Sequence, residues 1–486
     1  MAASALVAAA AAVTFHTAIV ATDRAELRTG PRESAPAQAQ LWQGEALEVR
    51  GERLGFLQVW DYHRERGGYV RASEVRRTTL APAEAPDLLA VIRFLREAPG
   101  AESLGIGLAA AYLQAAPGET LRGPAGAEAL DALGTFAERL ADRASDGVGT
   151  SKAAQSLSAH LEVAARYGVK FQSYEQADGH MRLCYDGDAF ARVLALPAQA
   201  QQKARAALAL TRPDCVDPAL QPIARHERNL WRAEVLDRVE LPALPEYVRA
   251  RVTLRRASVW ATLAYEDARL GQPAQAAAER ALAELGSVQK EDVAEDDLPA
   301  WNDAAMRVNA SRWAAVPAQP ALPAAGDRPW IATQPGAPGE TCVLLLDRRH
   351  DGRAPLAKRC TYALVWPQSA SVARSGNALV LAVQPLEAWR ELWVFRKQRG
   401  RWNIDVLPPA PLQPQIGYAE FAGWVPGGRQ MLVAREARAE GHYRRRYEVV
   451  SLASLATQQQ AYEPTALGVF QRWQDPQWKR LTVSLR

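Results

Sequence analysis

The spacing of hydrophobic positions changes twice along this chain. From residue 13 to about residue 80, apolar and polar residues alternate in short segments such as FLQVWDY and GYVRASEV, which predicts β-strands. From 83 to 316 the apolar residues recur at intervals of three and four, which predicts amphipathic helices. From 330 to 486 the alternation returns. We therefore expect a multi-domain α+β protein with a small β-domain, an α-helical domain and an antiparallel β-rich domain.

The segment between the second and third regions is rich in proline and alanine. It reads AAVPAQPALPAAGDRPW and lies between opposite periodicities, so residues 317–329 are predicted to be a linker. A length of 486 residues at roughly 150 residues per domain also indicates about three domains.

The first twelve residues are apolar and rich in alanine. They resemble the hydrophobic part of a secretory signal peptide, and Ala10, Ala11 and Ala12 offer a cleavage site of small residues. No Lys or Arg precedes them, so residues 1–12 could equally be a flexible tail. The segment is too short to span a bilayer, and we expect no integral membrane span.

The chain contains four cysteines, Cys184, Cys215, Cys342 and Cys360. Four cysteines allow three connectivities, and pairing each with its neighbour in sequence keeps both disulfides within one domain. Each would stabilise the fold by about 3 kcal/mol. The alternative is four buried thiols in a cytosolic protein. Together with the amino-terminal segment, the cysteines favour a periplasmic or secreted protein. The chain has no CxxC and its seven histidines are scattered, so we expect neither a metal site nor a cofactor.

Several segments of the first region resemble a bacterial SH3-like (SH3b) domain. They are AELRTGP, the positions Leu41, Gly44, Leu47 and Val49, then GFLQV and GYVRASEV. The resemblance covers nearly all of residues 20–77 within the predicted domain 13–80. It implies a small β-barrel that recognises an extended peptide or cell-wall component across an aromatic-lined surface.

Two glycine–aromatic pairs open strands in this region, at Gly55 and Gly68. A residue without Cβ permits a positive φ or a close backbone approach, either of which a tight barrel requires. The sequence departs from the SH3-like pattern at Phe56 and Tyr69, which stand where the family commonly has tryptophan, and at DYHRER, which lengthens a hairpin.

Four aromatic residues are candidates for ligand binding in this domain: Trp42, Phe56, Trp60 and Tyr69. The alternative is that they are mostly core, because a barrel of this size has few large side chains with which to fill its interior.

Two motifs in the helical region do not support a ligand site. GIGLAA, starting at Gly105, satisfies GxGxxA, but a helical pattern precedes it where a dinucleotide site requires a strand. Asp186 and Asp188 resemble the start of a calcium loop, but Pro197 occupies the position of the bidentate glutamate.

The last region resembles a TolB-like β-propeller. The segment FAGWVPGGRQMLVAREARAEGHYRRRYEVVSL is similar to one blade. About 45 residues per blade leaves room for about three blades, so we expect a partial propeller-like domain or a sandwich. Within HYRRRYEV, Arg444 and Arg446 share one face of a strand and are candidates for binding an anionic polymer. The alternative is a charged edge strand.

Charge and motifs narrow the function. A net charge of +4 is small for this length, and we expect no nucleic-acid partner. The chain has no GxSxG, HExxH or phosphate-binding loop, so we assign no catalytic residue. The first hypothesis is a non-catalytic exported binding or scaffold protein of the bacterial cell envelope, with a cell-wall peptide, peptidoglycan or an envelope protein as partner. The second is a cell-wall hydrolase or other envelope enzyme with its active site in the helical domain.

Overall fold

The computed structural model describes residues 16–147, 150–176, 179–317, 328–411, 415–439, 441–476 and 478. The possible signal segment 1–12 and most of the predicted linker 317–329 lie outside the described residues. The chain divides into two compact units, Met1–Ala219 (unit 1) and Leu220–Arg486 (unit 2). The boundary falls inside the range 83–316, so the helices predicted there belong to both units.

Unit 1 begins with an antiparallel sheet. Its strands are β1 (His16–Val20), β2 (Ala25–Arg28), β3 (Ala37–Leu41), β4 (Ala46–Arg53), β5 (Phe56–Asp61), β6 (Arg66–Arg71) and β7 (Val75–Thr78). They pair in the order β3-β2-β6-β5-β4-β1-β7. The buried cluster inside this sheet is aliphatic and includes Val20, Leu27, Leu41, Leu47, Leu57, Val59 and Val70. The aromatic candidates therefore do not supply this cluster.

The two glycines that precede aromatic residues are needed for different structural reasons. Gly55 lies in the β4–β5 turn with a φ of +76°, a conformation that glycine adopts without strain. Gly68 has an ordinary φ, but a Cβ there would come within 2.7 Å of Leu27 and 2.9 Å of the Arg28 carbonyl oxygen. The first glycine thus makes a turn, and the second lets β2 approach β6.

The rest of unit 1 is mainly helical. Its helices are α1 (Ala85–Arg96), α2 (Glu102–Ala115), α3 (Gly118–Leu121), α4 (Pro124–Ser145), α5 (Ser151–Arg166), α6 (Asp188–Ala195) and α7 (Ala200–Leu210). The GIGLAA segment forms the middle of α2, most of whose residues are buried, as expected for a helix that is apolar on all sides. Ile19 of β1 shares a buried cluster with Ile106 and Phe136, so sheet and helices have a common core.

A hairpin interrupts the helical region, with strands β8 (Phe171–Glu175) and β9 (Met181–Tyr185). The sequence analysis includes no strand here. A disulfide joins Cys184 of β9 to Cys215 and closes the loop that contains α6 and α7.

Unit 2 begins with helices and continues with strands. The helices are α8 (Pro222–Asp237), α9 (Glu246–Arg269), α10 (Gln275–Gly286), α11 (Leu298–Ser311) and, near the end, α12 (Gly468–Trp473). The strands are β10 (Trp330–Pro335), β11 (Thr341–Leu346), β12 (Ala357–Thr361), β13 (Leu364–Val372), β14 (Ala378–Leu386), β15 (Trp389–Gln398), β16 (Arg401–Leu407), β17 (Ile416–Trp424), β18 (Gln430–Ala439), β19 (His442–Ser451) and β20 (Thr457–Ala461).

These strands form three successive antiparallel meanders, β10–β12, β13–β16 and β17–β20. A short parallel contact at Trp389 and Arg390 joins β15 to β17. One buried cluster lies between the first and second meanders, and another between the second and third. A second disulfide, Cys342–Cys360, joins neighbouring residues of β11 and β12. The antiparallel β-rich region and both predicted disulfide pairings are thus present in the structure.

A buried group of charges joins helix and sheet in unit 2. Arg312 directly follows α11 and pairs with Glu420 of β17 at 2.8 Å. Arg390 of β15 pairs with the other oxygen of the same carboxylate. Arg312 and Glu420 are each 3% exposed and Arg390 is fully buried.

Among the helices of the described residues, none is both long enough and apolar enough to cross a bilayer.

Candidate functional site

The predicted ligand-binding residues occupy three separate places. Three aromatic residues lie on the outer side of strands β5 and β6, Trp42 lies in the β3–β4 turn, and the two arginines lie in unit 2. The structure therefore does not bring the predicted set together on one surface.

The outward residues of β5 begin the candidate site. Leu57 and Val59 belong to the buried aliphatic cluster. Because side chains alternate along a strand, Phe56, Gln58 and Trp60 project to the other side. Gln58 is exposed and Trp60 is half-buried, whereas Phe56 is only 7% exposed.

The neighbouring strand adds Tyr69 and fixes the position of the indole. Tyr69 of β6 lies opposite Gln58 and is half-buried, and Gly67 lies opposite Trp60. A Cβ on residue 67 would come within 3.2 Å of the Trp60 ring. The ring therefore packs closely over Gly67. We call the outer surface formed by Phe56, Gln58, Trp60, Tyr62 and Tyr69 the aromatic face.

Polar groups lie against the Trp60 ring. The guanidinium carbon of Arg50 lies 4.5 Å from the centre of the indole ring, and Arg50 also pairs with Glu48 at 3.3 Å. The hydroxyl of Tyr62, an exposed side chain, donates to Glu48. The hydrogen bonds from Tyr62 and Arg50 lower the pKa of Glu48, so the carboxylate stays ionised beside the two rings.

This arrangement can bind a flat or apolar group. The phenol rings of Tyr62 and Tyr69 offer π faces for stacking, and the part of the indole that Arg50 and Gly67 leave uncovered offers apolar surface. The amide of Gln58 can both donate and accept a hydrogen bond. The sequence analysis identifies Trp60 but not its neighbours Arg50, Glu48 and Tyr62. The missing signal is the strand register, which places Glu48 opposite Trp60.

Trp42 belongs to the junction between the sheet and the helices. It is 8% exposed, and the two residues that follow it are hydrogen-bonded to the helical region. The Gln43 carbonyl accepts from the Ser103 hydroxyl at 2.7 Å, and the Gly44 carbonyl accepts from the Tyr167 hydroxyl at 2.6 Å. Trp42 therefore does not take part in the aromatic face.

Ion pairs surround the same junction. Asp23 lies 2.7 Å from the His160 ring, and Glu45 pairs with Arg166 at 3.2 Å. Burial acts to raise the pKa of Asp23, but hydrogen bonds from His160 and from the Gln43 N–H outweigh it and leave the pKa lowered. Asp23 is therefore held as a carboxylate.

Arg444 and Arg446 lie at the start of β19. In the described residues, β20 pairs with β19 only from Tyr447 onward, so this part of the strand is paired on one side by β18. Arg446 lies opposite Arg435, which itself pairs with Glu448 at 3.1 Å. The two arginines are thus on an edge segment, as the interpretation of this segment as a charged edge strand assumes.

A titratable cluster that the sequence analysis missed lies between α8 and α9. The His226 ring is 3.4 Å from Glu266 and 3.5 Å from Asp267. The Asn229 amide donates to Glu266 at 2.8 Å. Burial, followed by repulsion from Glu387, raises the pKa of Glu266 to about 7. The residues are about 40 positions apart on two helices, so a linear motif could not reveal the cluster.

One group of possible metal ligands lies close together in the described residues. Glu340 approaches Cys342 and Cys360, but the two cysteines are joined in a disulfide and are therefore not available as thiolates. The Glu340 carboxylate instead accepts the N–H of Ala337 at 2.9 Å.

Comparison of the chain with protein-family models, with curated proteins and with solved structures finds no match in any of the three.

Proposed function

We propose that this protein is an exported, non-catalytic binding protein of the bacterial cell envelope, and that the aromatic face recognises a peptide or cell-wall component. The observation that carries the proposal is the position of Trp60 and Tyr69 outside the aliphatic interior of the sheet, whereas Phe56 is buried. The interior cluster of the sheet is aliphatic, while Trp60 and Tyr69 are half-buried on the outside. Large rings that the core does not use are free to contact a ligand.

Strand order supports an SH3-like barrel for this sheet. β4, β5 and β6 form a meander, β1 pairs with both β4 and β7, and β2 crosses to β6. In unit 2, successive meanders packed face to face support the propeller-like alternative for the β-rich region.

The two disulfides support the exported location, because disulfides persist in oxidising compartments and are rare in the cytosol. A periplasmic or a secreted protein would each meet this condition.

The test is co-sedimentation of the full-length protein with purified peptidoglycan sacculi. We expect the protein to pellet with the sacculi, and we expect Trp60→Ala to lose most of this retention. Phe94→Ala is the matched control, because Phe94 of α1 is a 75% exposed aromatic residue of the same unit outside the aromatic face. The control should pellet like the unsubstituted protein.

The same experiment separates the alternatives. Release of soluble muropeptides would support the envelope-hydrolase hypothesis instead, and the cluster of His226 and Glu266 would be the first place to look for its site. Absence of retention, or equal retention of Trp60→Ala, would overturn the proposed function of the aromatic face.

A further inference from the structure

A large open cleft lies in unit 2 at one end of the second and third meanders. Its volume is about 1100 Å³, and it is lined by residues at or beside the turns β13–β14, β15–β16, β17–β18 and β19–β20. Alternate turns of an antiparallel meander lie at the same end of the sheet, which brings these distant segments together. We call this space the basic cleft.

The charged residues that line the basic cleft are all cations: Arg396, Lys397, Arg399, Arg401 and Arg429. Arg396 is anchored, since it pairs with Asp405 at 2.7 Å and donates to the Leu452 carbonyl at 2.9 Å. The other four are exposed, and none is in an ion pair with a carboxylate of the described residues. The cleft therefore has an excess of positive charge that an anionic ligand could neutralise.

The turn between β15 and β16 presents one of these cations in an unusual conformation. Gln398 pairs with Arg401, so the turn consists of Arg399 and Gly400 alone. Arg399 has a φ of +48°, where asparagine, aspartate or glycine is the usual residue of a two-residue hairpin turn. The two-residue turn places the Arg399 side chain at the tip of the β15–β16 hairpin.

The uncharged residues of the lining indicate the class of ligand. Five side-chain amides line the cleft: Asn377, Gln398, Asn403, Gln430 and Gln458. Amides pair well with hydroxyl groups, because each can donate and accept. No aromatic residue is among the described residues that line the cleft, whereas single-stranded nucleic acids are bound by stacking bases on aromatic rings. Cations with amides and without stacking platforms favour a hydroxylated polyanion.

We propose that the basic cleft binds an acidic polysaccharide. Guanidinium groups would pair with its carboxylate, sulfate or phosphate groups, and the amides would bind the sugar hydroxyls. The site is distinct from Arg444 and Arg446, because the cleft lies at the Ser451 end of β19, seven and five residues further along the strand, or roughly 23 and 17 Å. It goes beyond the proposed function, and it does not depend on the aromatic face.

The test measures binding of the full-length protein to fluorescently labelled polygalacturonate and heparin oligosaccharides, with neutral dextran of similar length as the reference. We expect both acidic chains to bind, more weakly as salt increases, and dextran not to bind. The variant Arg399→Gln/Arg401→Gln/Arg429→Gln should weaken binding at least tenfold and reduce the salt slope by roughly two to three.

The matched control removes the same charge elsewhere. Arg348→Gln/Arg349→Gln/Arg353→Gln changes three exposed arginines between β11 and β12 and should bind within about twofold of the unsubstituted protein. Equal loss in both triple variants, no loss in the cleft variant, or no binding of either acidic chain would overturn the proposal. Tighter binding of oligo(dT) than of the acidic chains would overturn the choice of ligand class. Because this assay contains no peptidoglycan and the aromatic face is unchanged, its failure would leave the sacculus result standing.

Discussion

The two units each pack helices against antiparallel strands, but the contacts differ in kind. In unit 1 the junction is made by backbone and small residues. A Cβ on Gly107 of α2 would come within 2.7 Å of the Gly44 carbonyl oxygen, and Tyr167 donates to the same carbonyl. The junction is close-packed, and its shape is set by atoms that cannot rotate away.

In unit 2 the junction is made by buried charges. Glu420 accepts from Arg312 and Arg390 at once, and all three side chains are almost fully buried. Burial lowers the pKa of Arg390 to about 10, although Glu420 acts to raise it. The two guanidinium groups share this one carboxylate, and its removal would leave both buried charges without a partner, which is strongly destabilising.

The contrast indicates which kind of substitution should destabilise each unit. The close-packed part of the unit 1 junction has no room for added volume, although ion pairs surround it. The buried ion group of unit 2 depends instead on the one carboxylate that its two arginines share. Added volume should therefore destabilise unit 1, and loss of the Glu420 charge should destabilise unit 2; two variants test this. A third variant tests a difference in pH dependence, and the three follow in order of expected effect.

The largest effect is expected for Glu420→Gln in unit 2. The substitution keeps the shape but leaves Arg312 and Arg390 buried without a counter-charge, so we expect a loss of about 3–5 kcal/mol in the free energy of unfolding. Urea denaturation measures the loss, and limited proteolysis should show new cleavage after residue 220. Glu463→Gln, at an exposed position of the same unit, is the control and should change stability by less than about 0.5 kcal/mol. Equal stability of the two variants would mean that the buried charges do not hold unit 2 together.

Much of the architecture could be predicted from periodicity. Alternation predicts the strands of both β-regions, and three- and four-residue spacing predicts the helices, because each pattern marks a face that must be buried. Periodicity does not identify the element that covers that face. The sequence therefore could not indicate that the helices of 83–316 divide between two units. It also could not resolve the β8–β9 hairpin, whose five-residue strands are too short to stand out within a helical region.

Less of the candidate sites could be predicted, because they depend on register and turn position. The sequence identifies Trp60, but only the pairing of β5 with β4 and β6 places it between Arg50 and Gly67. The basic cleft could not be predicted from the sequence for a similar reason. Arg399 and Arg429 lie 30 residues apart in different turns, and only the meander brings them to one end of the sheet.

The second-largest effect is expected in unit 1. Gly107→Ala places a methyl group against the Gly44 backbone, so we expect a loss of about 1–3 kcal/mol in the free energy of unfolding. The sign is informative, because Gly to Ala inside a helix otherwise stabilises by about 0.5–1 kcal/mol. Gly118→Ala in α3 is the control, since its nearest neighbour is the end of the Arg122 side chain at 3.9 Å. A stabilised Gly107→Ala protein would contradict the close-packed junction.

The third and smallest effect concerns pH, for which the units should differ again. Glu266 in unit 2 has its pKa raised to about 7 from an ordinary value of 4.5. Between these values the unfolded chain has released the proton and the folded protein has not, so rising pH lowers the free energy of unfolding until both forms are ionised. The pKa of Asp23 in unit 1 is lowered from 3.8, so its contribution is lost only at acidic pH and stays constant above about pH 5.

Glu266→Gln isolates the contribution of Glu266 ionisation to stability, because the amide can still accept a hydrogen bond from Asn229 but does not ionise. Relative to the unsubstituted protein, the variant should gain about 1–2 kcal/mol between about pH 5 and about pH 8. This is less than the full pKa shift implies, because solvent screens the charge; burial and Glu387 oppose ionisation, whereas Asn229 and His226 favour it. Urea denaturation at the two pH values measures the gain, and Asp23→Asn should show no comparable change in this range. The opposite outcome is that the free energy of unfolding changes with pH equally in Glu266→Gln and in the unsubstituted protein. The Glu266 carboxyl would then ionise normally, and the buried charges of unit 2 would not extend to α8 and α9.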